Sequence, residues 1–168
     1  MIIAGAGLAG CEAAYQVAKR GIPVTLIDQK PKAFTPAHKS PAFAELVCSN
    51  SLKGNALDNA CGLLKEEMRR LDSLIIRAAD ETAVPAGGAL AVDRERFAAL
   101  ITKRVCALPN VTVRCETLSA IPKDDCVIVA TGPLTDGALL DDIRRRTGEA
   151  LSFYDAAAPL VTFESIGY

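Results

Sequence analysis

A glycine-rich turn at the start of the chain constrains its fold more than any other feature. The turn Gly5-Ala6-Gly7-Leu8-Ala9-Gly10 follows the short apolar run 1–4 and leads into a helical pattern over 8–20. A second apolar run, 23–27, ends at Asp28. Strand, turn, helix and strand in this order form a βαβ unit, which implies parallel strands and a right-handed crossover. We therefore expect an α/β fold: a Rossmann-like FAD/NAD(P)-binding domain whose parallel sheet has flanking helices.

The three glycines of the turn each have a physical role in binding a dinucleotide. Gly5 permits the tight turn, Gly7 removes a Cβ that the pyrophosphate would meet, and Gly10 lets the helix pack closely. The pyrophosphate then lies on free N–H groups at the positive end of the helix, so the whole turn, 5–10, is the predicted cofactor site. Asp28 is placed to hydrogen-bond the ribose hydroxyls and to repel a 2′-phosphate. A turn without a ligand is the weaker alternative, because the surrounding strands and helix match the motif.

A second glycine turn, Ala130-Thr131-Gly132, follows an apolar run over 125–130 that is typical of a central parallel strand. A similar turn passes close to the cofactor in flavoproteins with two dinucleotide domains and favours FAD over NAD. Thr131 and Gly132 are therefore predicted cofactor contacts. A plain strand exit is the alternative.

Cys48 is the candidate catalytic residue, in the polar segment 44–51. A thiol in a partly open loop can move protons or attack an electrophile, whereas the alternative is an inert buried cysteine. His38, in a loop, is either a contact for flavin or substrate or an exposed side chain. No CxxC pair occurs, which argues against zinc. Most cysteines are expected to be small buried residues: Cys11, Cys48, Cys61, Cys106, Cys115 and Cys126.

The rest of the sequence predicts further helices and strands. A helix is expected from a cap at Asp58 or Asn59 to about Ala79, with an apolar stripe of Leu64, Met68, Leu71 and Ile75. The other expected features are a proline-containing excursion over 30–41, a tight loop over 84–88, a helix over 94–108 capped by Asp93, a strand over 111–114, a helix from Thr135 or Asp136 to about 148, and a strand-like run over 160–163.

Composition and charge exclude several classes of protein. Of the 168 residues, 50% are hydrophobic and 23% are charged, and the net charge is −1. A nucleic-acid-binding domain is usually clearly basic, so we interpret the basic clusters 69–70 and 144–146 as solvated helix faces. No apolar run approaches the roughly 20 residues of a membrane helix. No basic leader precedes the first strand, so a cytoplasmic protein is expected.

Several more specific segments occur in order along the chain. They are GAGLAG (5–10), TPAH (35–38), AELVCSNSL (44–52), LKEEMRRLDS (64–73), VPAGGALAVDR (84–94), ATGPL (130–134) and FYDAAAP (153–159). This set closely resembles the bacterial folate- and FAD-dependent tRNA (uracil-5-)-methyltransferases, the TrmFO family, over essentially the whole chain. AELVCSNSL and VPAGGALAVDR are far more specific than a glycine turn.

The resemblance implies an activity and its cofactors. Members of this family hold FAD, take a one-carbon unit from 5,10-methylenetetrahydrofolate, use NADH or NADPH as reductant, and methylate C5 of a uridine in the tRNA T-loop. Two cysteines act on the uracil, one as the nucleophile at C6 and one in handling the C5 proton. Cys48 matches the second of these roles. Asp28 departs from the family, where glutamate is more usual, but its carboxylate should still reach a ribose hydroxyl.

The resemblance also implies a longer protein. Residues 1–168 correspond to the N-terminal portion of the FAD-binding domain, and a second domain with the nucleophilic cysteine should follow Tyr168. We expect the isolated chain to be inactive, as a truncated FAD-binding module without turnover. Two alternatives stay open, namely a wobble-uridine-modifying flavoprotein (MnmG/GidA-like), which residues 10–14 also resemble, and another flavin or NAD oxidoreductase. The oligomeric state is left open.

Overall fold

The computed structural model describes residues 1–123 and 125–148. In that part of the chain the elements are β1 (Ile2–Ala4), α1 (Leu8–Lys19), β2 (Val24–Asp28), β3 (Ser51–Gly54), α2 (Ala60–Arg70), α3 (Leu74–Glu81), β4 (Ala83–Val84), β5 (Ala89–Val92), α4 (Arg94–Cys106), β6 (Val111–Cys115), β7 (Val127–Val129) and α5 (Gly137–Thr147). The runs 153–159 and 160–163, singled out in the sequence, lie outside the described residues.

A four-stranded parallel sheet carries the predicted βαβ unit. Its strand order is β6-β2-β1-β7, and Ile3 of β1 pairs with Leu26 on one side and Ile128 on the other. The chain builds outward from β1 through β2 to β6 and then returns to the opposite side of β1 with β7. Such a reversal of strand order creates a crevice at the carboxyl ends of the strands, which is where α/β sheets bind ligands. The expected α/β fold is confirmed.

A second, antiparallel sheet has the order β3-β5-β4. Residues 85–88 connect β4 to β5, as the predicted tight loop requires. One hydrophobic core joins this sheet to helices α1, α3 and α4 and to the parallel sheet. Its fully buried large side chains include Ile3, Leu26, Leu74, Val92, Phe97, Ile101 and Val105.

The single helix expected up to Ala79 is wrong, because the chain breaks between α2 and α3. Asp72 has a positive φ of 58°, a left-handed conformation that aspartate tolerates better than most residues. Ser73 then caps α3 by accepting a hydrogen bond from the Ile76 amide. The predicted apolar stripe is interrupted accordingly: Ile75 is buried, but Leu64 is 56% and Leu71 is 73% exposed. The hydrogen bond that caps α3 at Ser73 thus outweighs the apolar helical period that predicted one continuous helix.

The strand predicted over 125–130 is shorter than expected, and among the described residues it lies at the edge of the sheet. β7 pairs only with β1 in the described part of the sheet, and Val129 is 37% exposed. A run of apolar residues indicates a strand, but it does not say how many neighbours the strand has. The pairing of Val129 with Ala4 places the end of β7 at the crevice beside β1.

The expectation that most cysteines are buried is also wrong. Cys11 is buried, Cys61 and Cys115 are partly exposed, and Cys48, Cys106 and Cys126 are exposed. Small size permits burial but does not require it, and the position of each residue on its element decides. Within the described residues, no helix has both the length and the apolar character needed to cross a membrane.

The remaining boundaries agree closely with expectation. Asp93 caps α4 by accepting hydrogen bonds from the amides of Glu95 and Arg96, and Asn59 caps α2. Asp136 precedes α5 but makes no capping side-chain bond. The basic clusters form local ion pairs, as expected for helix surfaces: Arg69 with Asp80, Arg70 with Glu66, and Arg145 and Arg146 with Asp142.

Candidate functional site

The glycine turn and the second glycine turn meet at the end of β1. Gly5 has φ +97°, and a Cβ built there would lie 2.5 Å from the carbonyl oxygen of Ala130. The Ala130 amide donates to the Ala4 carbonyl at 2.7 Å. Two segments more than 100 residues apart in the sequence thus share one backbone contact at the crevice. Only glycine fits at position 5, because both the space and the backbone conformation exclude a side chain.

Gly10 and Gly7 meet opposite surroundings on α1. A Cβ at Gly10 would lie 1.8 Å from the carbonyl oxygen of Gly5, so the helix packs directly on the turn. A Cβ at Gly7 would have no described atom within 4 Å. Gly7 is the N-cap of α1, with no capping side-chain hydrogen bond and no acidic residue in the first turn. Open space beside uncapped helix amides fits a pyrophosphate, which would bring its own oxygens to those donors.

The carboxylate of Asp28 contacts the backbone just after two neighbouring strands, β1 and β2. Its Oδ2 accepts from the Ala6 amide at 2.6 Å, and its Oδ1 accepts from the Lys30 amide at 2.8 Å. The side chain therefore holds the middle of the glycine turn against the end of β2. Each carboxylate oxygen retains a second acceptor position, so the predicted contact with ribose hydroxyls remains available. Residues 5–10 and Asp28 thus lie together as predicted, while their role in binding stays a prediction.

Thr131 and Gly132 continue the chain from the contact at Ala130. The Thr131 hydroxyl lies 2.6 Å from that of Thr135, which in turn donates to the Gly132 carbonyl. Gly132 has φ +81° and no described atom within 4 Å of a built Cβ. These residues form a compact turn, bonded within itself, at the rim of the same crevice. Their predicted contact with FAD stays a prediction.

Cys48 is exposed, in a segment that is neither helix nor strand. The alternative that Cys48 is buried is therefore wrong, while its catalytic role stays a prediction. The segment is joined to the glycine turn four residues earlier, where the Ala44 amide donates to the Ala6 carbonyl at 2.9 Å. This contact brings the candidate thiol and the candidate cofactor turn into one region.

Cys11 differs from Cys48 in its burial. Its thiol donates to the Ala6 carbonyl at 3.3 Å, and the residue is fully buried. Burial, with the nearby charge of Asp28 as a smaller cause, raises the pKa of the Cys11 thiol to about 12. A thiol this hard to ionise is neither nucleophile nor base at neutral pH. Cys11 packs the helix against the turn, as expected from its position.

His38 is half-buried in its loop, where its Nδ1 lies 2.6 Å from the Thr35 hydroxyl. The structure thus gives the ring a local partner, and any contact with flavin or substrate stays a prediction. In the described part of the chain no cluster of histidine, cysteine or acidic residues has the arrangement of a metal site.

Sequence reasoning missed two charged residues near the turn, Lys30 and Glu45. Lys30 is only 8% exposed, and its ammonium lies 3.9 Å from the Glu45 carboxylate. Lysine and glutamate are usually on the surface, so nothing in the sequence pattern indicates their burial. Two concavities of about 470 and 390 Å³ lie elsewhere, beside α1 and α2 and beside α3 and α4. Neither concavity includes the glycine turn. The candidate cofactor site is therefore defined by its backbone geometry and not by a closed pocket.

A glycine turn at the reversal point of a parallel sheet, opening onto an uncapped helix, defines a Rossmann-like dinucleotide-binding domain. Comparison with known proteins narrows this class. The chain belongs to the glucose inhibited division protein A family, whose model matches residues 1–168.

Two relatives illustrate the similarity of sequence. The chain is 59% identical over 165 residues to a protein of Lactobacillus johnsonii named methylenetetrahydrofolate–tRNA-(uracil-5-)-methyltransferase TrmFO. It is 59% identical over 167 residues to the protein of the same name from Desulforudis audaxviator. The matches cover 98% and 99% of this chain but only 38% of each relative. The resemblance drawn from the sequence is confirmed.

Solved structures give the same fold at low sequence identity. Aquifex aeolicus GidA matches with a TM-score of 0.65 and 18% identity, over 86% of this chain and 30% of that protein. A GidA-related protein of Thermus thermophilus matches with a TM-score of 0.52 and 16% identity, over 86% of this chain and 66% of that one. These likenesses support the fold and carry no argument about activity.

Proposed function

We propose that the chain is the FAD-binding part of an enzyme that methylates C5 of the T-loop uridine in tRNA. Its donor is 5,10-methylenetetrahydrofolate, and its reductant is NADH or NADPH. One observation carries the proposal: 59% identity over 98% of the chain to a relative that bears this activity in its name. The chain spans 38% of that relative. We propose that residues 1–168 are the N-terminal portion of the FAD-binding domain of a longer cytoplasmic protein.

The crevice residues would hold the cofactor in this proposal. The amides of residues 5–10 and the N-terminus of α1 bind the pyrophosphate, Asp28 binds a ribose hydroxyl, and Thr131 and Gly132 line the rim. FAD, when bound, supplies the methylene-carrying and reducing chemistry that this family requires. The support is geometric: open space at Gly7, an uncapped helix and close contact between the two glycine turns.

Cys48 would act on the uracil rather than on the cofactor. When a thiolate adds to C6 of a uracil, C5 becomes nucleophilic and can take the one-carbon unit. The proton on C5 must then leave, which requires a base within hydrogen-bond reach. The C6 nucleophile is the cysteine that the resemblance places after Tyr168, and Cys48 takes the C5 proton. Two observations support this assignment: Cys48 is exposed, and Ala44 of the same segment is hydrogen-bonded to the glycine turn.

A chimeric enzyme tests the proposal directly. Residues 1–165 of this chain replace the matching N-terminal part of the Lactobacillus johnsonii relative, and nucleoside mass spectrometry measures 5-methyluridine in a T-loop substrate. We expect folate-dependent 5-methyluridine and a flavin spectrum in the purified chimera. A chimera that binds FAD but leaves the T-loop uridine unmethylated contradicts the proposal. The native relative, assayed in parallel, is the positive control.

The wobble-uridine activity is a second candidate, which rests on the resemblance of residues 10–14 and on the match to the glucose inhibited division protein A family model. The same nucleoside analysis distinguishes it, because a full tRNA substrate contains both positions. Modification of the wobble uridine without 5-methyluridine in the T-loop would favour this second candidate.

A further inference from the structure

Residues 39–48, which we call the cysteine segment, contain no helix or strand, yet they are tied to the glycine turn. The Ala44 amide donates to the Ala6 carbonyl at 2.9 Å. Ala44 is fully buried with a positive φ of 51°, a conformation that costs energy for a residue with a side chain. Such a conformation persists only where the surroundings hold it, so the contacts around Ala44 need an explanation.

Lys30 closes a ring of polar contacts around this point. Its ammonium donates to the Ala42 carbonyl at 2.5 Å, and its amide donates to Asp28 Oδ1 at 2.8 Å. Asp28 Oδ2 accepts from the Ala6 amide, and Ala44 returns the chain of contacts to the Ala6 carbonyl. Lys30 is therefore the residue that links the end of β2, the glycine turn and the cysteine segment.

Glu45 completes the arrangement from within the segment. Its Oε1 accepts from the amides of Lys39 and Ser40 at 3.0 and 3.1 Å. Its Oε2 lies 3.9 Å from the Lys30 ammonium and has no hydrogen-bond partner among the described residues. The two side chains are only 7% and 15% exposed. Burying such an ion pair seldom makes a fold more stable than burying an apolar pair of similar size. The backbone positions that Lys30 and Glu45 fix therefore explain their burial better than net stability does.

We infer that Lys30 and Glu45 are positioning residues that hold the cysteine segment, and with it Cys48, in register with the glycine turn. Neither is placed to touch the reacting atoms. The structural part of this inference is independent of any cofactor. Its meaning for methyl transfer rests on the proposed function, because that function requires Cys48 and the cofactor to be held at fixed positions relative to each other.

The competing explanation is that apolar burial alone holds the segment. Phe43 is 7% exposed, and its amide donates to the Thr102 hydroxyl at 2.9 Å. The chain offers a matched control for separating the two. Lys65 is also buried, at 6% exposed, and its ammonium donates to the carbonyls of Gly54 and Cys61. Its contacts lie outside the cysteine segment.

Hydrogen–deuterium exchange on the full 168-residue chain without FAD tests the inference. In Lys30→Met, amides of residues 43–46 should exchange about tenfold faster than in the native chain, a local loss of about 1.4 kcal/mol. In Lys65→Met, the same amides should stay within about twofold of native. Unchanged exchange in folded Lys30→Met overturns the inference, and so does an equal increase in both variants.

A second readout compares two exposed thiols in the same molecule. We expect Lys30→Met to raise the iodoacetamide alkylation rate of Cys48 relative to Cys126 by about threefold, whereas general loosening would raise both. An unchanged ratio contradicts the inference. If Lys30→Met fails to fold, Glu45→Gln decides, because it keeps the shape and one acceptor oxygen for the amides of Lys39 and Ser40 but replaces the charged oxygen facing Lys30 by a neutral NH2 group. Native-like exchange and ratio in Glu45→Gln would then overturn the inference.

The two proposals fail separately in this design. The expected exchange and alkylation changes in the isolated chain, together with a chimera that binds FAD but forms no 5-methyluridine, would support the positioning role and contradict the proposed function. Native-like behaviour of the Lys30 and Glu45 variants, together with a chimera that forms folate-dependent 5-methyluridine, would do the reverse.

Discussion

Gly7 and Gly10 are the same amino acid in one turn, but the structure requires the missing side chain for different reasons. At Gly10, a Cβ would overlap the Gly5 carbonyl at 1.8 Å. At Gly7, no described atom lies within 4 Å of a built Cβ, and we propose that the pyrophosphate would meet a side chain there. The motif predicts these two different roles from the sequence, and substitution should separate them.

Gly7→Val should leave the chain folded and weaken FAD binding by about 100-fold or more, because the side chain would occupy the place proposed for the pyrophosphate. Gly10→Val should instead lower the free energy of unfolding by about 3 kcal/mol, since helix and turn must separate. Flavin titration and chemical denaturation measure the two effects. A Gly7→Val chain with native FAD affinity would show that the turn does not bind the cofactor.

Cys48→Ala should have little effect on folding, since an exposed side chain is removed, and the free energy of unfolding should change by less than about 0.5 kcal/mol. In the chimeric enzyme the same substitution should abolish 5-methyluridine formation with the flavin spectrum unchanged. Cys126→Ala is the matched control, because Cys126 is exposed but precedes β7. Activity that survives in Cys48→Ala would leave Cys48 without a catalytic role.

At the scale of elements, Glu12 joins two helices. Its Oε2 accepts from the Ser73 hydroxyl and the Ile75 amide at 2.8 and 2.9 Å, and its Oε1 accepts from the Leu74 amide. A carboxylate of α1 thus caps the N-terminus of α3, where a negative charge is favourable. This contact packs α3 onto α1 after the break at Asp72.

Glu12→Ala should lower the free energy of unfolding by about 2 kcal/mol, because buried amides of α3 lose a charged acceptor. Denaturant unfolding followed by circular dichroism measures the change. Glu95→Ala, at an exposed position in the first turn of α4, is the control and should change stability by less than about 0.5 kcal/mol. Equal effects in the two variants would remove the capping role.

The break between α2 and α3 also predicts a dependence on pH. Hydrogen bonds from Lys19 and then Arg77 lower the pKa of Asp72 to about 2 from 3.8. Because the folded-state pKa is below the unfolded value, ionised Asp72 stabilises the fold above about pH 4, and this contribution is lost as the pH falls toward 2. The effect should be small, since Asp72 is exposed to solvent.

Asp72→Asn tests this dependence while keeping a residue that tolerates the left-handed conformation. Native chain should be more stable than the variant at neutral pH, and the difference should shrink below about pH 4. Denaturant titrations across this range give the two curves. A difference that stays constant with pH would mean that the carboxylate charge is not what matters.

At the scale of the molecule, the chain contains a candidate cofactor crevice and an exposed thiol, but it spans only 38% of the length of relatives such as the Lactobacillus johnsonii protein. We expect the isolated chain to bind FAD and to form no 5-methyluridine, since the second cysteine of the family lies beyond it. Flavin absorbance after gel filtration and nucleoside mass spectrometry measure the two properties. Turnover by the isolated chain would contradict the expectation.

Much of the fold was predictable because local rules determine it. Turn glycines, helix caps such as Asp93 and apolar strand runs act through nearby backbone, so α1, β2, α4 and β6 were placed closely. The break at Asp72 was missed, since a helical period over 58–79 outweighed one capping serine in the pattern. The predicted site residues were drawn from motifs, whereas burial of Lys30 and Glu45 has no signature in residue type or spacing.

By itself the sequence determined the βαβ start, the glycine turn and the family. Each of these depends on a short run of residues that is distinctive, either because its steric requirements are strict or because its exact order is specific to the family. Only the tertiary structure brought Ala130 against Gly5, fastened Ala44 to Ala6 and exposed Cys48. These contacts join residues far apart in the chain, and their geometry depends on packing that no local pattern contains. The glycine turn is thus the predicted place of a dinucleotide, and the folded chain decides which side chains surround it.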